Sequence, residues 1–224
     1  MATQARDSFL GKYLDANTRM GELLFGLIMT LTFTLGAGVV ITEEGREGVR
    51  QLLIATIGCN VAWGIIDAAL YVLGQAFERG RINRLAEAVK AAGTDEASVS
   101  IVSAELDQYF EAITSPEERR SLYLRIVERA RARVPLRGLT KEDFQGAVLV
   151  FVFVFIASLP AALPFLLFDD LWTALRTSNA FLLLMLFFVG YGAARHTTAK
   201  PWLVGAIFLA IGLALVAAAI ALGG

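Results

Sequence analysis

Apolar residues along this chain fall into five blocks, 20–41, 51–73, 144–168, 179–194 and 201–222, each bounded by polar or charged positions. Crossing a bilayer takes roughly 20 apolar residues at 1.5 Å rise each, so the pattern predicts five membrane-spanning helices, the fourth being the shortest. Between the second and third blocks the chain turns polar. Ile82, Leu85, Ala86 and Val89 recur there at helical spacing, as do Val99, Val102, Leu106, Phe110 and Ile113, and each stripe predicts a helix with one packing face. Ser115-Pro116-Glu117-Glu118 reads as an N-cap, a first-turn proline and a capping-box glutamate opening a third helix. Thr140 and Asp143 suit a similar start for the third span. Three short helices bury little surface alone, so this region is expected to pack on itself, on a second copy or on the extension of span two.

The expected fold class is therefore an all-α integral membrane protein: five transmembrane helices with a small helical cytoplasmic domain between the second and third. Its parts are a cytoplasmic N-terminal segment (1–19), transmembrane helices 1–2 (20–74), the cytoplasmic domain (75–140) and transmembrane helices 3–5 (141–224).

Charge orients this arrangement. The net charge is −1, yet seventeen of the twenty basic residues lie before span one, between spans two and three, or between spans four and five. Arg46, Arg50 and Arg176 alone fall on the other side. The positive-inside rule then places the N-terminus in the cytoplasm and the C-terminus outside a cell membrane. Bases interleaved with acids form no stripe for nucleic acid. The first residues are polar and include Arg6, Lys12 and Arg19, unlike a cleavable signal peptide. Cys59 is the one cysteine, so no disulfide forms within the chain, and the one histidine, His196, suits a solvated or headgroup role. With no phosphate-binding loop, metalloprotease helix or nucleophile and base pair, neither an enzyme nor a tightly bound cofactor is expected.

Candidate chemistry centres on Asp67, which sits inside the apolar run 52–73 with no basic residue in it. An intramembrane carboxylate is costly unless it meets a partner, an ion or water, which marks a functional site; the alternative is a packing carboxylate, hydrogen-bonded or protonated. Asn60, seven residues earlier, shares its face, with Trp63, Gly64 and Tyr71 in the intervening turns. Counted from the cytoplasmic ends of their spans, Met29 and Asp67 both lie roughly 10 to 14 Å deep. A carboxylate and a thioether are thus expected to meet, with Glu22 at the cytoplasmic mouth. Such donors suit Fe2+ or Mn2+ better than Ca2+ or Mg2+. The plainer alternative leaves Met29 facing lipid and Glu22 at the interface. Pro160 and Pro164 predict a kink in span three, either a gate or a static bend. Gly26, Gly36, Gly38, Gly64 and Gly74 give spans one and two small faces suited to a dimer seam. Glu43, Glu44, Glu47, Asp169 and Asp170 form an outer acidic rim.

Several segments resemble the vacuolar iron transporter family: Phe25-Gly26 in span one, Leu159-Pro160-Ala161-Ala162-Leu163-Pro164-Phe165 in span three, and Leu186-Phe187-Phe188-Val189-Gly190-Tyr191 before a short basic loop. An order of five spans with a helical insert between spans two and three is similar to that family too, so the resemblance covers nearly the whole chain. It implies proton-coupled export of Fe2+, and of Mn2+, from the cytoplasm by a homodimer, with spans one and two lining the path. Two departures stand out. The family's Asp-Gly pair after Phe-Gly is replaced by Leu27-Ile28-Met29-Thr30, and Asp67 stands near where the family carries a methionine. An exchange of the two ligand types between neighbouring helices would keep one carboxylate and one thioether per subunit.

The insert departs further. The family's insert gathers metal through glutamates and methionines, whereas 75–139 contains no methionine. Glu105, Glu111 and Glu118 are its candidate metal-binding or pairing acids, and Glu111 and Glu118 flank a turn. Pairing with Arg119, Arg120, Arg125 or Arg129 at helical spacing is the alternative. Two functions of different class follow: a transporter of divalent metal in the lipid bilayer, or a non-transporting membrane module whose cytoplasmic helices bind a protein partner.

Overall fold

A computed structural model describes residues 14, 16–136, 138–195 and 197–221. Arg6, Lys12 and His196 lie outside these residues. Seven helices are described: α1 (Ala16–Leu35), α2 (Ala37–Ala91), α3 (Asp95–Phe110), α4 (Pro116–Ala132), α5 (Lys141–Leu167), α6 (Leu171–Ala194) and α7 (Pro201–Ala221). No strand occurs among the described residues.

Among the described residues four helices are long and apolar enough to cross a membrane: the Glu43–Ala91 stretch of α2, and α5, α6 and α7. The expected first span is the helix α1, which is not among the four. Its 20 residues would reach about 30 Å, but Arg19, Glu22 and four threonines dilute its apolar character. Its surroundings explain that composition. Leu24, Leu27, Leu31 and Leu35 are buried against Ala157 and Ala161 of α5 and Leu182 and Leu186 of α6, with Phe208 and Leu215 of α7 packed alongside. A helix enclosed by other helices does not need an apolar surface all round. Its threonines satisfy themselves within the helix: Thr30 Oγ1 donates to Gly26 O at 2.7 Å and Thr32 Oγ1 to Ile28 O at 2.9 Å.

Block ends and helix ends differ in two places. α1 stops at Leu35, not at 41, and Gly36 makes the turn into α2. Within α2 the backbone breaks at Gly45, whose φ of 61° and ψ of −137° favour glycine. Beyond it the helix continues without a break to Ala91, past the expected end of span two, until Gly93 at φ 67° ends it. The stripe Ile82 to Val89 thus belongs to this long helix and not to a separate short one.

Two compact units result. Residues 72–140 form one, and the rest of the chain the other. In the smaller unit Val89, Val102, Tyr123 and Val127 make a buried core joined by Leu106, Phe110 and Ile126, so α3 and α4 pack on the end of α2. Ile113 lies beyond α3 and is exposed. Ser115 and Glu118 form the predicted capping box, with Pro116 in the first turn. The returning segment is stapled to α2: Asn83 exchanges two hydrogen bonds with Leu136, at 3.2 and 2.8 Å, and Lys90 Nζ donates to Arg133 O.

Candidate functional site

Two contacts fix the register of α1 against α2, and a longer-range electrostatic interaction agrees with them. Asn60 Nδ2 donates to Thr30 Oγ1 at 3.1 Å and to Gly26 O at 3.4 Å. The Phe25 and Trp63 rings meet edge to face at 5.6 Å, and Glu22 lies within Coulombic reach of Asp67. Going up one helix means going down the other, so the two are antiparallel. The same amide also donates to Val154 O of α5 at 3.2 Å. Asn60 therefore ties three helices together from a fully buried position. Close approach makes this possible. A Cβ on Gly26 would stand 2.7 Å from Ala157 Cβ, and one on Gly64 would stand 2.9 Å from the Phe151 ring.

This register pairs Asp67 with Glu22, and it sets Met29 level with Asn60. Met29 is about 10 Å along the axis from Asp67, seven residues at 1.5 Å each. The equal depth expected for Met29 and Asp67 is corrected accordingly. That expectation counts from span ends at 20 and 73, whereas α1 begins at Ala16 and α2 runs to Ala91. Glu22, expected at the mouth, is the α1 residue that lies within Coulombic reach of Asp67.

Asp67 is half-buried, and its Oδ2 is buried with no hydrogen-bond partner. Asn60 Oδ1, one face-length deeper, is the other buried side-chain atom without a partner among the described residues. Neither Glu22 nor Asp67 has a base within ion-pair distance among those residues. Two like charges in apolar surroundings repel unless a proton or a cation sits between them. A carboxylate pair with an orphan oxygen, and an orphan amide oxygen further along, make a column of acceptors suited to a cation. Thr30, which orients the Asn60 amide, is a site residue that the sequence reading misses. Its signal is a hydroxyl four residues after Gly26 on an otherwise apolar face.

The acids of the smaller unit are arranged differently. Glu105 pairs with Arg81 at 2.7 Å, and Glu118 accepts from the Ser115 N–H and hydroxyl, both at 2.9 Å. Those two bonds, the backbone one first, hold the Glu118 carboxyl below its ordinary range. Glu111 caps the end of α3. No group of three or more acidic, histidine or cysteine side chains positioned to hold a metal occurs among the described residues. The arginine pairs link helices where pairing within a helix is the sequence expectation: Arg119 with Asp107 at 3.3 Å, Arg120 with Glu96 at 3.7 Å, Arg131 with Asp95 at 2.7 Å.

Pro160 and Pro164 lie within the continuous helix α5. Pro164 is buried, and Ser178 Oγ of α6 donates to Ala161 O at 2.9 Å, so this turn of backbone packs against protein.

A helical bundle with several long apolar helices belongs to the multi-pass membrane proteins, and the comparison with protein families narrows this. The VIT family matches residues 73–224, and the chain belongs to that family of vacuolar iron transporters. Membership places it among proteins that move metal ions across membranes. The match begins after Asp67, so the acidic pair lies in the part of the chain outside it. No curated protein matches the chain.

Proposed function

We propose that the protein is a secondary transporter that exports Fe2+ or Mn2+ from the cytoplasm in exchange for protons, acting as a homodimer in the cell membrane. α1 serves as the first of five spans, with the N-terminus cytoplasmic and the C-terminus outside, as the distribution of bases supports. One observation carries the reading: Glu22 lies within Coulombic reach of Asp67 on the adjacent helix, neither has a base within ion-pair distance among the described residues, and Asp67 Oδ2 has no hydrogen-bond partner among them. A divalent cation bound there displaces the protons that otherwise keep the pair neutral, and that competition is what couples metal to proton. The carboxylates of Asp67 and Glu22 form the first stop for the ion, and the Asn60 amide oxygen with the Met29 thioether, about 10 Å further along, forms a second whose soft donor favours a borderline metal over Ca2+ or Mg2+.

The test is Fe2+ and Mn2+ uptake into proteoliposomes under an imposed pH gradient, comparing the wild type with Asp67→Asn. Gradient-dependent flux that disappears in the variant is the expected result. Folded wild-type protein that moves neither metal would overturn the reading and favour a module whose helical unit binds a protein partner.

A further inference from the structure

A second site lies away from the acidic pair, where the first half of α6 meets the end of α7. Leu35, Leu175, Leu183, Val216 and Ile220 wall a cavity of about 330 Å³ there. Its polar lining comes from one helix: Arg176 and Asn179, with Trp172 at the rim. Trp172, Arg176, Asn179 and Leu183 follow one another at spacings of four, three and four, so they share one face of α6.

Three features say what this groove would hold. Arg46 pairs with Asp169 at 3.6 Å and Arg50 with Glu47 at 3.2 Å. Arg176 forms no ion pair among the described residues and is only in longer-range electrostatic contact with Asp170. The Asn179 amide is held by its oxygen, which accepts from Thr34 Oγ1 at 2.8 Å, and its Nδ2 donor has no partner among the described residues. Finally, Arg176 lies five residues inside α6, about 7 to 8 Å along its axis. That is the level of headgroups and ester carbonyls, where tryptophan is enriched in membrane proteins.

We propose that this groove binds an anionic phospholipid of the surrounding bilayer. The phosphodiester sits on the Arg176 guanidinium, an ester carbonyl accepts from Asn179 Nδ2, and one acyl chain runs along Leu175, Leu183 and Val216. An apolar helix from a second copy fits poorly, because it would bury the guanidinium and the amide with nothing to accept from them.

Native mass spectrometry of the delipidated full chain, offered equal phosphatidylglycerol and phosphatidylcholine, tests this. Wild type is expected to retain phosphatidylglycerol about fivefold over phosphatidylcholine, the effect of one interfacial charge. Arg176→Gln should equalise the two lipids and Arg176→Lys should keep the preference. A wild type without preference, or an Arg176→Gln protein that keeps it, overturns the proposal. A phosphatidylglycerol with a photoactivatable acyl chain gives a reading on the wild type alone. Crosslinks within 171–183 and 216–221 support the site, and crosslinks confined elsewhere overturn it.

Discussion

In the 72–140 unit Asp95, Glu96, Glu105 and Asp107 each face an arginine on another helix, whereas Glu22 and Asp67 lie within Coulombic reach of each other with no base in ion-pair distance among the described residues. The first arrangement is ordinary solvated pairing, worth at most about 1 kcal/mol per pair. The second opposes stability, since like charges in apolar surroundings cost energy that no base among the described residues offsets. Acids that stabilise and acids that destabilise call for different explanations, and the second kind points to a ligand.

Neutralising one acid from each region sharpens the contrast most. Asp67→Asn is expected to lower metal flux in proteoliposomes by at least about tenfold, as loss of a ligand or its close support does. Glu22→Gln should lower it by a smaller factor and shift its dependence on pH, because one carboxylate remains. Glu105→Gln should leave flux within about twofold and cost less than about 1 kcal/mol, a screened exposed pair. Equal losses in Asp67→Asn and Glu105→Gln would erase the distinction.

A packing change gives the next largest effect. Gly26→Val would force α1 away from Ala157 Cβ and the Val154 carbonyl, 2.7 and 3.0 Å from where its Cβ would stand. Overpacking of this kind costs about 1 to 3 kcal/mol. Because Gly26 O accepts from the Asn60 amide, the change also disturbs the register that brings Glu22 to Asp67. Thermal unfolding in detergent and metal flux should therefore fall together; flux retained at lowered stability would separate the register from transport.

How far these regions can be read from sequence depends on what kind of signal each uses. Four spanning helices are legible because apolarity alone defines them. α1 is harder to place among them: its polar atoms are satisfied by its own carbonyls and its leucines by neighbouring helices, which composition does not reveal. The polar stretch that begins at Gln75 suggests the end of span two, yet polarity marks a change of surroundings and not of backbone. With no proline between 46 and 91 the helix has no reason to stop. The capping box is legible because its partners are three residues apart. The meeting of Glu22 with Asp67 depends on a register set jointly by Asn60, Thr30 and Val154, residues far apart in the chain, so counting from span ends pairs Asp67 with Met29 instead.

The smallest effect tests the stabilising side of the comparison. Hydrogen bonds from Ser115 lower the Glu118 pKa in the folded chain, so the support Glu118 lends α4 is complete above its unfolded pKa. It is lost as pH falls through the folded value, which lies below the ordinary carboxylate range of about 4.3. Amide protection in the first turn of α4, measured by hydrogen exchange on the full chain and corrected for intrinsic rates, should fall as pH drops from about 6 to about 3. Ser115→Ala should lower protection at the higher pH, by about 1 kcal/mol, and weaken the pH dependence without abolishing it, because the hydroxyl bond to Glu118 is gone while the backbone N–H of residue 115 still donates. An undiminished pH dependence in Ser115→Ala would mean that another acid, such as Asp107 beside Tyr123 and Arg119, governs the acid sensitivity of this unit.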